Sequence, residues 1–336
     1  SLRIGAAMAE ARGEVAKAGQ WTALADGLKA AFLRSFWDGD NHVMADRVRA
    51  DDSRDTKMRP NQLMLLSLPF EDRLVPDEVE AHVLRNAVNA LLYPYGIASL
   101  DPTHPYFHPF HDNQANWEKD AAYHNGTIWG WNAGFTISAL TRYGRVDHAY
   151  ALSQNLAEQI LGLGTRGSMS ELLDAHPSAS GALTPSGTFS QTWSVAEVVR
   201  NAFQDYLGFR PNLPAAQLVL APSIPTAWSA LEADAPCGPG ATLSVSMRRA
   251  QAKTTWTLEH DHAATLSLVF RPVIAGARYS VTVAMPPGVT RVIAVDAAGP
   301  AVSIDGIDQG ALVVARPSQD ALIGVLTFVT PDVDGS

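Results

Sequence analysis

The sequence predicts an α+β chain of two domains, a helical part over residues 1–212 followed by an antiparallel β-sandwich over 213–336. Three observations lead there. At 336 residues and 36.0 kDa the chain exceeds the size at which a single hydrophobic core usually stops growing. In its first part, apolar side chains recur at steps of three and four, the period of a helix that buries one face. Beyond "FRPNLPAAQLVLAPSIP" the period falls to two, in short runs separated by Gly, Pro and Asp.

Trp21, Leu24, Leu28, Phe32 and Phe36 share one helical face, which predicts a helical pair over 2–18 and 20–37 broken at Gly19. "NHVMADRV" at 41–48 alternates as a short hairpin strand does. "RPNQLMLLSL" at 59–68 begins with Pro60, whose missing N–H is tolerated in a first helical turn. Pro76, Asp77 and Glu78 open a helix through 92, because carboxylates suit the positive end of the helix dipole. A loop rich in Pro, His and aromatics runs from 93 to about 125. Helices are expected at 127–143 and 146–162, parted by Gly144, and a last one at 190–208 ending at Gly208. "ATLSVSMRR", "KTTWTLEH", "TLSLVFRP", "RYSVTVAM", "RVIAVD", "ALVVARP" and "IGVLTFV" then read as strands, with Trp228 and Trp256 on an inner face.

The formal net charge of -9 argues against a nucleic-acid surface, which needs a basic stripe to displace counterions. No stretch reaches the roughly 20 apolar residues of a membrane span. "SLRIGAAMAEARGEV" lacks the uninterrupted apolar centre of a signal peptide. Cys237 is the single cysteine, so neither an intrachain disulfide nor a cysteine metal cluster forms. A soluble, cytoplasmic protein without nucleic-acid or membrane partners is the expectation.

Between 93 and 193 the chain gathers Tyr, His and Trp side chains in loops that helices would position. Flat aromatic faces interleaved with hydrogen-bonding groups, as in "YHNGTIWGW", suit a sugar ring, whose C–H face stacks while its hydroxyls take directional bonds. "HPYFHPFH" raises a metal alternative, but Pro105 and Pro109 forbid the helix that would bring its imidazoles together. No metal or organic cofactor is expected. "GSMSE" lacks the closing glycine of a nucleophile elbow, and Ser168 and Ser170 are expected to bond their own loop backbone. Glycoside cleavage needs two carboxyl groups. Glu171, set in a loop among Met169, Leu172 and Leu173, is a candidate for one of them, with partial desolvation expected to raise its basicity.

"RPNQLMLLSLPF", "YGIASLDPTHP", "AAYHNGTIWGW", "GSMSELLDAHP" and "QTWSVAEVVRNAF" occur in this order and spacing. Together they resemble the C-terminal amylo-alpha-1,6-glucosidase domain of glycogen debranching enzymes, over about residues 1–210. The "GSMSE" loop with its following "TWS" helix is also similar to glucoamylases. The resemblance implies an (α/α)6 toroid of the six-hairpin glycosidase superfamily, an α-glucan or oligosaccharide substrate and an inverting reaction with Glu171 as general base. It further implies that Tyr123, His124, Asn125, Trp129 and Trp131 line the sugar subsite, with His124 and Asn125 bonding hydroxyls. Gln191 and Trp193 match the head of the last helix, where the indole packs below the sugar. Arg59, Asn61 and Gln62 match "RPNQ", with Arg59 pairing a carboxylate at the pocket floor.

The chain departs from that family in one respect. The general acid of the relatives lies in a "TWMD" motif N-terminal to the stretch that "SLRIGAAMAEA" resembles, and the motif is absent here. About seven candidate helices stand against about twelve in a full toroid. The expectation is a partial toroid, completed by a preceding segment or a second chain that supplies the acid, and inactive alone. Asp120 and Glu118 are candidate replacement acids, whose plainer reading is an ion pair with Lys119 or Arg142. Two rivals remain: an α-1,4-glucosidase or trehalase-like hydrolase of the same fold, and a non-catalytic carbohydrate-binding subunit.

Overall fold

The computed structural model of the chain describes residues 1–68, 73–118, 120–299 and 301–332. Pro69 and Phe70, which end one of the motifs quoted above, and Lys119 fall outside them. The first helical pair is α1 (Leu2–Ala11) and α2 (Val15–Phe36). Its break sits at Gly13, whose φ of +76° is left-handed, and not at Gly19, where α2 runs on with open space around the glycine. The apolar stripe of α2 is only half used. Phe32 and Phe36 pack on the helical core, but Leu24 and Leu28 stay exposed, as do Ile4 and Met8 of α1.

"NHVMADRV" divides between two small hairpins, Trp37–Asp38 with Val43–Met44 and Arg47–Val48 with Arg54–Asp55. After Arg59 the chain makes a 3-10 turn, Pro60–Leu63, and a short α3 (Met64–Ser67). Next come α4 (Asp77–Leu91), α5 (Asn132–Arg142), α6 (Val146–Gly162) and α7 (Thr192–Asn201). Three acidic residues in its first turn favour the start of α4, and Val83, Leu84, Ala87, Val88 and Leu91 bury its inner face.

Every residue of α5 from Asn132 to Thr141 is buried, which makes it the axis of the helical part. The hydroxyls on this buried helix find partners within it: Thr136, Ser138 and Thr141 donate to carbonyls four residues back, at 2.8, 3.2 and 2.9 Å.

Two six-stranded sheets follow. Phe209–Asn212, Gln217–Leu220, Leu266–Phe270, Ala277–Met285 and Val273–Ile274 form one, joined by Val313–Arg316. Ala230–Gly238, Ala241–Ala250, Lys253–His260, Arg291–Asp296, Ala301–Ile304 and Ile307–Asp308 form the other. Their inner faces share one core, in which Trp256 meets Phe270 edge-on at 5.8 Å. Pairing is antiparallel except between Gln217–Leu220 and Leu266–Phe270, which run parallel. Trp228 lies on no strand and packs against Tyr150 and Tyr206 of the helical part.

One expected strand is absent. "IGVLTFV" follows a short α8 (Asp320–Ile323) as an irregular segment that returns to the helices, burying Ile323 and Leu326 in their core. The N–H of Val329 donates to the Leu92 carbonyl at 2.7 Å, and that of Thr327 to the Asn89 side chain at 2.9 Å. Among the described residues no helix is long and apolar enough to cross a membrane.

Candidate active site

Glu171 precedes a two-residue strand, Leu172–Leu173, held between Ile128–Trp129 and Pro185–Ser186. The carboxylate stands just ahead of this strand, whose two leucines point to opposite faces and are both covered. Leu172 and Leu173 are buried, while Glu171 sits at the rim, half-buried. Its backbone N–H donates to the Thr188 carbonyl at 2.8 Å, and the Thr188 N–H returns a 2.8 Å bond to Glu171 Oε2. Tyr123 donates its hydroxyl to Oε1. Gly187, with φ +71°, forms the remaining wall: a Cβ there would stand 2.6 Å from Oε2.

These bonds decide the electrostatics. The hydrogen bond from Tyr123 and then that from Thr188 hold the Glu171 carboxyl below the usual carboxylate range, outweighing the opposing effect of burial. The raised basicity expected from desolvation is therefore corrected: the group is an ionised acceptor of protons at neutral pH and a modest base. The same bond pushes the Tyr123 phenol up to about 12, so it remains a donor.

Tyr123 and Glu171 stand behind the wall of a cavity of about 450 Å³ lined by Asp46, Arg59, Asn61, His124, Trp129, Trp131 and Trp193, which Tyr123 touches through two of these residues. The Tyr123 ring meets His124 at 4.9 Å and Trp129 at 4.7 Å, both edge-on. His124 lies flat on Trp129, with the planes 4° apart, and Trp131 faces Trp193 at 5.8 Å. Trp129 is buried and Trp193 is 52% exposed, so the indoles run from floor to lip. Aromatic faces beside fixed polar groups are suited to holding a polyol ring, and an ionised carboxylate one tyrosine behind them is suited to accepting a proton from water.

Residues 1–200 match the sequence profile of the amylo-alpha-1,6-glucosidase family. The chain belongs to this family. A search of curated proteins found no match. Among solved structures, a sialidase is similar at 17% identity and a TM-score of 0.55, over 72% of this chain and 22% of its own. A rhamnosidase of Bacillus sp. GL1 is similar at 18% and 0.50, over 75% and 23%. An alpha-L-rhamnosidase of Dictyoglumus thermophilum is similar at 12% and 0.50, over 87% and 30%. At these identities the likeness is one of fold. The chain spans less than a third of each of these proteins.

Within this amylo-alpha-1,6-glucosidase framework, the "RPNQ" side chains take different places. Arg59 donates to the carbonyls of Ser99 (3.0 Å) and His124 and to Asn125 Oδ1 (2.8 Å), with Asp46 3.8 Å from its Nε. Asn61 donates to Asp46 at 2.9 Å. Gln62 is buried, and its amide donates to Met58 Sδ and the Arg59 carbonyl. Asn125 also donates to the Ala121 carbonyl at 2.9 Å, so both ends of its amide meet protein. Gln191 holds the N-cap position of α7 without a side-chain capping bond, outside the described cavity lining, and its N–H donates to the Met169 carbonyl at 2.8 Å. Trp129 Nε1 is committed to the Tyr123 carbonyl at 2.7 Å.

Sequence reasoning missed Asp46, the carboxylate that Arg59 and Asn61 hold at the pocket wall. "MADR" offers no motif signal for it. His111 was also overlooked as a neighbour of Glu171: its ring lies 5.6 Å from that of Tyr123, and its Nε2 is 3.2 Å from Asp120. Asp120 thus meets His111 and not Arg142, which donates to the Leu66 and Leu68 carbonyls. Glu118 is exposed. His104 and His108 turn to Tyr106 and Trp117, respectively. No group of three or more His, Cys, Asp or Glu side chains suited to a metal occurs among the described residues. Ser170 bonds its own loop at Leu172, as expected, whereas Ser168 pairs with the Ser190 hydroxyl at 2.6 Å.

Proposed function

We propose that the chain is part of an inverting α-glucan hydrolase, a partial (α/α)6 toroid followed by a β-sandwich, that removes α-1,6-linked glucose from branch stubs. The family is one of glycoside hydrolases, and the similar structures are a sialidase and rhamnosidases, which supports a glycosidase-like function. One observation carries the reading: a carboxylate kept ionised by Tyr123 and Thr188 stands beside an aromatic cavity through a shared tyrosine.

In this reading Glu171 takes a proton from water as the water oxygen bonds to the anomeric carbon. The glycosidic C–O bond breaks, and its oxygen receives a proton from an acid outside these residues. That second carboxyl would stand about 6.5–9.5 Å from Glu171, the separation that leaves room for water. Asp46 and His124 face the sugar as hydroxyl partners. The exposed apolar flank of α1 and α2 fits a toroid that a preceding segment or a second chain completes.

Hydrolysis of a branched α-glucan by a complete parent polypeptide tests the proposal. Wild type is expected to release glucose with inverted anomeric configuration, and Glu171→Gln to slow release about 10²–10⁴-fold. The chain alone is expected to be inactive. No glucose from any α-glucoside, or an unchanged rate in Glu171→Gln, removes the reading. The missing acid motif favours one alternative, a non-catalytic carbohydrate-binding subunit. Calorimetric binding of maltooligosaccharide without turnover, unaltered in Glu171→Gln, would select it.

A further inference from the structure

Where the helical part meets the first sheet, a second cavity of about 190 Å³ is lined by Arg73, Arg142, Arg210, Arg271, Arg278 and Arg316. Asp77 and Asp205 are the acidic residues of the described lining. The concentration of positive charge stands out in a chain whose formal net charge is -9. Part of it is balanced in place. Arg316 reaches Asp77 at 2.6 Å and Glu80 at 2.7 Å, and Arg73 donates to Glu80 at 2.7 Å from its Nε. Arg142 is spent on the Leu66 and Leu68 carbonyls.

Arg278 is different. It donates to the Arg271 carbonyl (2.8 Å), the Pro222 carbonyl (3.3 Å) and Ser223 Oγ (2.8 Å), all neutral acceptors, with no carboxylate among the described residues. It is enclosed by protein atoms yet keeps accessible surface, as a group facing a cavity does. Burial, then the charges of Arg210, Arg316 and Arg271, push its pKa down to about 10. Like charges converging on one enclosed space repel, and an anion placed between them relieves that repulsion. Guanidinium forks match the tetrahedral oxygens of phosphate better than a halide, since each offers paired donors at fixed spacing.

We propose that this interdomain cavity binds a phosphate group, as free phosphate or as a small phosphate monoester. The proposal does not depend on the glycosidase reading. Its test is titration of sodium phosphate into the 336-residue chain, at ionic strength held constant with sodium chloride, followed by calorimetry and thermal unfolding. A saturable heat and a rise in melting temperature of several degrees are expected, neither produced by chloride. Arg278→Gln is expected to weaken binding at least about tenfold. Should that variant fail to fold, Ala315→Asp decides. Ala315 is exposed and lines the cavity, so the variant is expected to fold, and the added carboxylate to compete with phosphate. No saturable response in wild type, or an undiminished one in every variant that folds, overturns the site. A hexose 6-phosphate distinguishes the sources: tighter binding than phosphate assigns an ester, and weaker binding assigns the free ion.

Discussion

Tyr123 and Glu171 lie 48 residues apart and share one hydrogen bond, from the phenol to the carboxylate. Because that bond favours the charged carboxyl, it ties the ionisation of the candidate base to the aromatic wall of the cavity.

Tyr123→Phe is expected to raise the Glu171 pKa toward its ordinary value, since the largest stabiliser of the ionised form is removed. The acidic limb of the kcat/KM profile in a complete parent enzyme then moves to higher pH. A linked stability effect follows with the same sign. A depressed carboxyl contributes stability above its unfolded pKa and loses it as pH falls through the folded pKa. Melting temperature below about pH 4.5 should therefore fall less steeply in the variant than in wild type. Coincident profiles for the two proteins would refute the coupling.

Gly187→Ala strains a left-handed backbone position, at about 1–2 kcal/mol, and drives a methyl into Oε2 of Glu171. We expect a lower melting temperature together with a loss of turnover. Retained turnover alongside reduced stability would show that the carboxylate tolerates displacement.

The tryptophans of the cavity should separate by role. Trp129 is buried, and Trp129→Ala is expected to cost about 3–5 kcal/mol in urea unfolding. Trp193 is largely exposed, so Trp193→Ala should change stability by no more than about 0.5 kcal/mol. Its oligosaccharide affinity, measured by calorimetry, should nevertheless drop. Unaltered affinity would exclude the indole from the sugar site.

The C-terminal strap offers a comparison within one segment. Ile323 is buried in the helical core, and Ile323→Ala should destabilise the chain by about 2–5 kcal/mol. Val325, two residues on, is 81% exposed, and Val325→Ala should be nearly neutral. Equal effects in urea unfolding would mean that the strap is not seated on the helices.

Much of the helical part was legible in local pattern. The span expected at 146–162 coincides with α6, and that at 76–92 matches α4 within a residue at each end, because Gly144, Pro76 and the early carboxylates punctuate the chain chemically. Gly19 does not end a helix because one interior glycine costs only about 0.5–1 kcal/mol, which a helix as long as α2 tolerates, whereas Gly13 has the left-handed φ that ends α1. "IGVLTFV" alternates like a strand, yet Ile323, Leu326 and Phe328 pack on the helical core. Ala230–Gly238 was overlooked because its Glu, Asp and Pro disguise an edge strand. In the site, five motifs marked Glu171, the indoles and Arg59. No motif marked Asp46, which enters the cavity wall only because Arg59 and Asn61 fold against it.

By itself, then, the chain of residues determined where the main helices and most of the strands of the sandwich lie and which loops carry reactive groups, since both follow from side-chain spacing along a few turns. Only the tertiary structure decided the protonation state favoured by Glu171, the partner of Asp120 and the gathering of six arginines between helices and sheet. Each of these depends on how distant segments approach, and hydrogen bonds and fields acting across a few ångströms take their sign from that approach.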